Sequence, residues 1–147
     1  MRTKLFVMAG ATLATALFGG AAALAHHAFA AEFDANKPVN LRGPVTKVEW
    51  INPHAWVHVN VVGADGTAVE WMVEGGTPNT LLRGGITRDS LKPGTDIIVR
   101  GYQAKDKRCM PACKANGRDV TFPDGRKVFM GSSGTGAPKD GSDASEK

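Results

Sequence analysis

Three observations predict an all-β protein with one short helix, organised as a five- to six-stranded OB-like barrel. Several stretches alternate with a period of two: Val57, Val59 and Val61 point one way while Trp56, His58 and Asn60 point the other, and Trp71 and Val73 oppose Glu70, Met72 and Glu74. Turn-forming clusters separate these stretches, among them Gly63-Ala64-Asp65-Gly66, Lys92-Pro93-Gly94 and Pro123-Asp124-Gly125. A single helix start, Thr77-Pro78, follows the third alternating run. In an OB-type barrel a helix between the third and fourth strands plugs the open end, a match of element order to which a half-open sandwich of the same strands is the alternative.

The chain opens on an address. Arg2 and Lys4 precede an apolar run from Leu5 to Phe18, then Gly19-Gly20 and the small residues Ala23 and Ala25. This is the layout of a secretory signal peptide over residues 1–25, cleaved after Ala25 and leaving a chain that begins at His26. The apolar run is short for a membrane anchor, and no Cys stands at the cleavage point for lipid attachment. Composition suits a small globular domain, with 42% hydrophobic and 22% charged residues. Two of the 18 basic residues fall in the signal peptide, so the remainder is close to balance against 14 acidic ones. No run of Lys and Arg interleaved with aromatics appears, which argues against a nucleic-acid partner.

Residues 26–36 read as an N-terminal arm, in which Phe29 and Phe33 share one side of a helical turn and can pin the arm to the body. A frayed end is the equal alternative. Lys37-Pro38 is expected to end the arm and open a barrel domain over residues 37–130. Its first strand runs from Val39 to Trp50, with Gly43-Pro44 marking a bulge or sharp bend. The Trp56 strand, the Gly63–Gly66 hairpin and a third strand from Ala68 to Glu74 follow. Gly75-Gly76 breaks the pattern before the Thr77-capped helix through Leu81, Leu82 and Arg83. Thr87 can cap a further turn to Leu91, and Thr95 to Tyr102 makes a fourth strand. Lys105 to Gly117 reads as a polar loop that ends in the turn dipeptide Asn116-Gly117. A last hairpin spans Val120 to Met130, and residues 131–147 carry no large apolar side chain and are expected to be a disordered tail.

The chemistry concentrates in Glu49 to Val61, which holds two of three tryptophans and two of four histidines. Asn52-Pro53 is turn chemistry, so His54 falls at a strand entrance. Cleavage after Ala25 places a free amine beside His26 and His27. An N-terminal His binds copper through amine and ring together, and a second-position His through amine, amide and ring. His54 is then the candidate third ligand from the body, and His58 the next. Against this stands the ordinary role of strand histidines as half-buried residues with satisfied hydrogen bonds. A face carrying Trp50, Asn52, Trp56 and Glu74, together with His58, equally suits a metal-free module that docks a small ligand or an envelope protein. Trp50 has the alternative of being core. Glu70 and Glu74 read as a solvated strand face rather than as a catalytic pair.

Cys109-Met110-Pro111-Ala112-Cys113 offers a short-loop disulfide, since an even count in an exported chain usually pairs. The alternative is a soft Cu(I) site of two thiolates and the Met110 thioether. Neither C-x-x-C nor C-x-x-C-H is present. No nucleophile elbow, phosphate loop or zinc-protease helix occurs, so nothing points to an enzyme beyond oxygen chemistry at an N-terminal copper site.

The stretches HHAFAAEFD, EWINPHAW, WMVEGGTPNTLLR, NGRDVTFPDGRK and GSSGTGAP resemble a family of small exported bacterial proteins of unknown function. The resemblance spans nearly all of the chain after the cleavage point. It implies a periplasmic, OB-like small domain, and it implies no reaction.

Overall fold

The computed structural model describes residues 28–131. The expected signal peptide over residues 1–25, His26, His27 and residues 132–147 of the expected tail lie outside the described residues, whereas Gly131, expected to open that tail, is buried with its amide donating to the Arg118 carbonyl at 3.3 Å. In chain order the elements are α1 (Ala28–Glu32), β1 (Phe33–Glu49), β2 (Trp56–Val62), β3 (Ala68–Glu74), α2 (Pro78–Arg83), β4 (Asp96–Ala104), β5 (Cys113–Thr121) and β6 (Lys127–Phe129). The expected fold class holds: a mostly antiparallel sheet of six strands, with two short helices where one was expected.

Five strands close into a barrel-like ring of hydrogen bonds. β1 pairs with β2, β2 with β3, β3 with β5, β5 with β4, and β4 again with β1. All these pairings are antiparallel except β3 with β5, where Trp71 to Glu74 run alongside Cys113 to Asn116. β6 extends the sheet from the far half of β5, opposite Asp119 to Thr121.

β1 serves two neighbours because it bends. Its first part, Phe33 to Pro44, lies against β4, and its last part, Val45 to Glu49, lies against β2. The change of partner falls at Gly43-Pro44, where the sequence signals a bend. At Gly43 a Cβ would sit 2.0 Å from the Asn60 carbonyl oxygen, so only glycine allows the crossing. Lys37-Pro38 does not end the N-terminal segment as expected. β1 already begins at Phe33, and the register shift between Phe33 and Pro38 absorbs the irregularity within the strand.

The inward faces follow the alternation. Val57, Val59, Val73, Val99 and Val120 are fully buried, and Leu41, Val45, Ile97 and Met130 join them in the main core. β-Branched side chains suit such positions because their stiff rotamers pack on a pleated surface. α2 contributes Leu81 to this core, while Leu82 is exposed. Thr77 caps α2 as expected, its Oγ1 accepting from the Thr80 amide at 3.1 Å with Pro78 next to it in the first turn. Thr87 and Ser90 cap each other in the next turn, and Leu91 is buried behind them.

One expectation fails. The stretch from Lys105 to Gly117 is not all loop: β5 starts at Cys113, and Asn116-Gly117 lies within it. Asn-Gly turns a chain when nothing holds it extended, but here both edges of the strand are occupied, by β3 and by β4. Glycine at 117 answers to packing, because a Cβ there would come within 2.8 Å of Val73 Cγ1 and 2.9 Å of the Met130 side chain. The loop shortens to the residues between Ala104 and Cys113, and it contains the Cys109–Cys113 disulfide.

A histidine and carboxylate cluster at the end of the ring

A backbone ladder positions the loop between β1 and β2. The Gly75 amide donates to the Ala55 carbonyl at 2.8 Å, the Ala55 amide to Gly76 at 3.0 Å, and the Gly76 amide to Met130 at 2.8 Å. Ala55 is fully buried, so the residue before it is fixed at the rim, beyond the cis Asn52–Pro53 bond. His54 Nδ1 faces the Gly75 carbonyl at 3.2 Å and Glu74 Oε1 at 3.6 Å. A carbonyl only accepts, so Nδ1 carries a hydrogen in either protonation state, and in the neutral ring the lone pair is on Nε2. Among the described residues Nε2 has no hydrogen-bond partner.

Glu74 closes β3 and is 7% exposed, so it is not the solvated residue its strand pattern suggests. The pattern fails because Glu74 lies in register with both Trp56 and Asn116 and is flanked by strands on either side. Burial pushes its carboxyl above the ordinary range. The charge of His54 opposes that shift, Glu32 in α1 adds to it, and a hydrogen bond from Asn116 and the charge of Lys114 oppose it. The cluster therefore joins residues from α1, the β1–β2 loop, β3 and β5. Lys114 also lies over the Trp56 ring, 6.0 Å from its centroid.

α1 is held at this end by a second, smaller core. Phe29 packs edge-on against Tyr102 with centroids 5.5 Å apart and tilted against Phe33 at 5.8 Å, and all three are buried with Ala104. The Lys105 amide donates to the Glu32 carbonyl at 2.8 Å, and Lys105 Nζ reaches the Ala30 carbonyl. The pair of phenylalanines thus pins the arm, as one of the two readings of the arm holds. The Tyr102 hydroxyl is buried there without a hydrogen-bond partner among the described residues.

His58 stands apart from this cluster. It is 6% exposed, with Nδ1 2.8 Å from Glu70 Oε1 and Nε2 3.1 Å from Glu49 Oε1. Both ring nitrogens face carboxylates, so neither is directed at open space, and the residue stitches β1, β2 and β3 together. A hydrogen bond from Lys47, 2.6 Å away, holds the Glu49 carboxyl below its ordinary range, with desolvation opposing it and the charges of Lys47 and His58 adding to it.

The two tryptophans also part. Trp50 packs against the main core with Arg88 over its ring at 5.1 Å, while Trp56 lies on the outer face beside Glu74. Asn52 is exposed in the loop. Among the described residues no group of three or more His, Cys, Asp and Glu is arranged to hold a metal ion. A separate cleft of about 460 Å³, lined by Arg42, Asp96, Ile97, Ile98, Thr121, Phe122 and Pro123, contains none of the sequence-predicted site residues. No described helix is long and apolar enough to cross a membrane, and the disulfide fits an oxidising compartment.

Sequence reasoning passed over Glu32, Tyr102, Lys114 and Asn116. Asn116 was hidden by its turn signal, and the other three carry no local motif, since only the ring brings them to Glu74 and α1.

Fold and cluster define a small β-ring protein with a histidine and carboxylate group at one rim. The sequence pattern of a family of unknown function, DUF6152, matches residues 15–111, and the chain belongs to that family. No curated protein matches it.

Proposed function

We propose that the protein is an exported, periplasmic binding module that holds copper between its mature N-terminus and the rim of the ring. His26 and His27 supply the amine and imidazole nitrogens, and His54 supplies Nε2. His58, occupied by Glu49 and Glu70, stays outside the ligand set. The observation that carries this reading is the orientation of His54, whose Nδ1 faces Gly75 and Glu74. Ligating histidines are commonly fixed in this way, by donating the second ring nitrogen to a carbonyl or carboxylate, which also raises their basicity.

The anchorage of α1 supports the same reading. His27 adjoins Ala28, the first residue of α1, and successive Cα atoms are about 3.8 Å apart. α1 is pinned on Tyr102, and its Glu32 is close enough to act on Glu74. Two histidines thus immediately precede an element docked at the end of the ring where His54 waits. The ring of five strands, with His54 in the loop that enters the second, supports placing the ligand at this rim.

The test is a Cu(II) titration of the protein beginning at His26, by calorimetry and spin resonance, beside a form with one extra N-terminal Ala and beside His54→Ala. The reading expects nitrogen hyperfine structure in the native form, a changed spectrum after extension, and the loss of one nitrogen in His54→Ala. Identical spectra from all three would reject it, and the half-buried Trp56 on the outer face would become the place to look for a partner.

A further inference from the structure

The loop between β4 and β5 holds sulfur chemistry that the histidine site does not use. Cys109, Met110 and Cys113 put three sulfur atoms within five residues, and the structure joins the two cysteines as a disulfide. The three are unequally exposed. Cys113 is 3% exposed, where β5 enters the ring opposite Trp71, whereas Cys109 is exposed and Met110 is 88% exposed. A thioether this open to solvent is not a core residue, and its apolar surface is left uncovered.

The surroundings are basic and ordered. Lys105, Lys107, Arg108 and Lys114 lie within or beside the loop. Asp106 fixes the turn before Cys109, accepting from the Arg108 amide at 3.1 Å and from Arg108 Nε at 2.8 Å. Lys105 ties the base of the loop to α1. The loop therefore has fixed ends and a free, sulfur-rich crest.

We infer that this loop is a second, redox-gated metal site: reduction of the Cys109–Cys113 disulfide by a dithiol opens a three-sulfur Cu(I) site made of Cys109, Met110 and Cys113. The inference is independent of the histidine site, which takes Cu(II) through nitrogen. Exposure directs the exchange. A thiolate of the dithiol attacks Cys109 Sγ, the accessible sulfur, forming a mixed disulfide and expelling Cys113 as a thiolate that takes up a proton. The second thiol of the reductant then attacks its own sulfur in that mixed disulfide and releases Cys109. Two electrons and two protons pass to the protein, and the reductant leaves as its own disulfide. Cu(I) binding then displaces two thiol protons, giving two thiolates and one thioether around the ion. Thiolate and thioether ligands select Cu(I), and Lys107 and Lys114 flank the loop as cations, Arg108 being paired with Asp106 and Lys105 engaged with the Ala30 carbonyl. In the oxidised form the thiolates are consumed and only Met110 remains.

The test is an anaerobic Cu(I) competition against a chromogenic chelator, using the full mature chain before and after reduction by a phosphine that is then removed. The reduced protein is expected to take up one Cu(I) per chain, at least about a hundredfold more tightly than the oxidised protein, as the joining of two thiolates in one loop implies. X-ray absorption at the copper edge should show sulfur neighbours only. Met110→Leu leaves the disulfide and the ring intact and should weaken Cu(I) binding in the reduced form alone. His54→Ala should leave it unchanged. Equal uptake by oxidised and reduced protein overturns the inference, as do nitrogen neighbours at the copper edge or a Met110→Leu protein that binds as the parent does. So does a reduced chain that has lost its near-ultraviolet circular dichroism, because the site requires a folded ring.

Discussion

Phe29→Ala is expected to release α1 from the ring while leaving the ring itself almost as stable as before. The side chain is 4% exposed and touches Phe33 and Tyr102. Burying it contributes about 3 kcal/mol. Its two ring contacts add about 1 kcal/mol each. The hydrogen bonds that Lys105 sends to α1 add a further ~1 kcal/mol each. Against a total near 7 kcal/mol stands the ordering of the five residues of α1, which costs about 5 to 10 kcal/mol of backbone entropy. Docking is therefore close to balanced, and removing the ring of Phe29 tips it. The arm detaches instead of leaving a cavity, so the loss in global unfolding free energy is capped at about 2 kcal/mol, below the ~4 kcal/mol typical of a buried Phe→Ala change. The Lys105 amide reports the outcome, because it donates to the Glu32 carbonyl across the docking contact. Hydrogen exchange at Lys105 should become fast in the variant, while the Val57 and Val99 amides keep their protection. Retained protection at Lys105, or a global loss near 4 kcal/mol in urea, would refute the reasoning. On the proposed function, Cu(II) affinity should also fall by about tenfold or more, because a loose arm lowers the effective concentration of the N-terminal nitrogens at His54.

Gly101→Ala should be severe, at about 3 kcal/mol or more by urea denaturation, since a Cβ would lie 2.0 Å from the Asn116 carbonyl oxygen on the neighbouring strand. Thr77→Ala should cost about 1 kcal/mol by thermal melting, through loss of the cap on the Thr80 amide. Glu74→Gln should stabilise the metal-free protein near neutral pH. Burial raises the folded-state pKa of Glu74 above its ordinary 4.5, so the folded state holds its proton more tightly and stability falls as pH rises through the window above that value. The amide removes that penalty, and the gain in melting temperature should vanish at about pH 3.5, where the carboxyl is protonated in both states. An equal gain at both pH values would mean that burial of charge is not the cause.

The elements legible in the sequence are those whose signals are local. β3 and α2 are found at their expected bounds, because a period-two run and a Thr-Pro cap each act within a few residues. The bend at Gly43-Pro44 was legible for the same reason. β5 was misread because its extended form comes from two partners, β3 and β4, that lie far away in sequence, and its Asn-Gly pair reads as a turn without them. The candidate site divides along the same line. His54 and its place at a strand entrance follow from Asn52-Pro53 and the strand after it. That Glu74 is buried, and that His58 is spoken for by Glu49 and Glu70, depends on cross-strand neighbours that no window of sequence displays.

The parallel seam between β3 and β5 has a consequence for how the chain comes together. β1, β2 and β3 can meet through short connections, but β5 is the keystone, seated between β3 and β4 and supplied close to the end of the described chain. Until it arrives, β3 and β4 each lack a partner and the valines of both stand open to water. Closing this seam joins residues about forty positions apart, a non-local pairing of the kind that slows folding. A chain cut before Cys113 would be an unclosed sheet with two bare edges, whereas one lacking α1 would lose only a strap. Truncation should therefore be tolerated when it removes α1 and not when it removes β5. A growing polypeptide of this design cannot close its ring until β5 has been made.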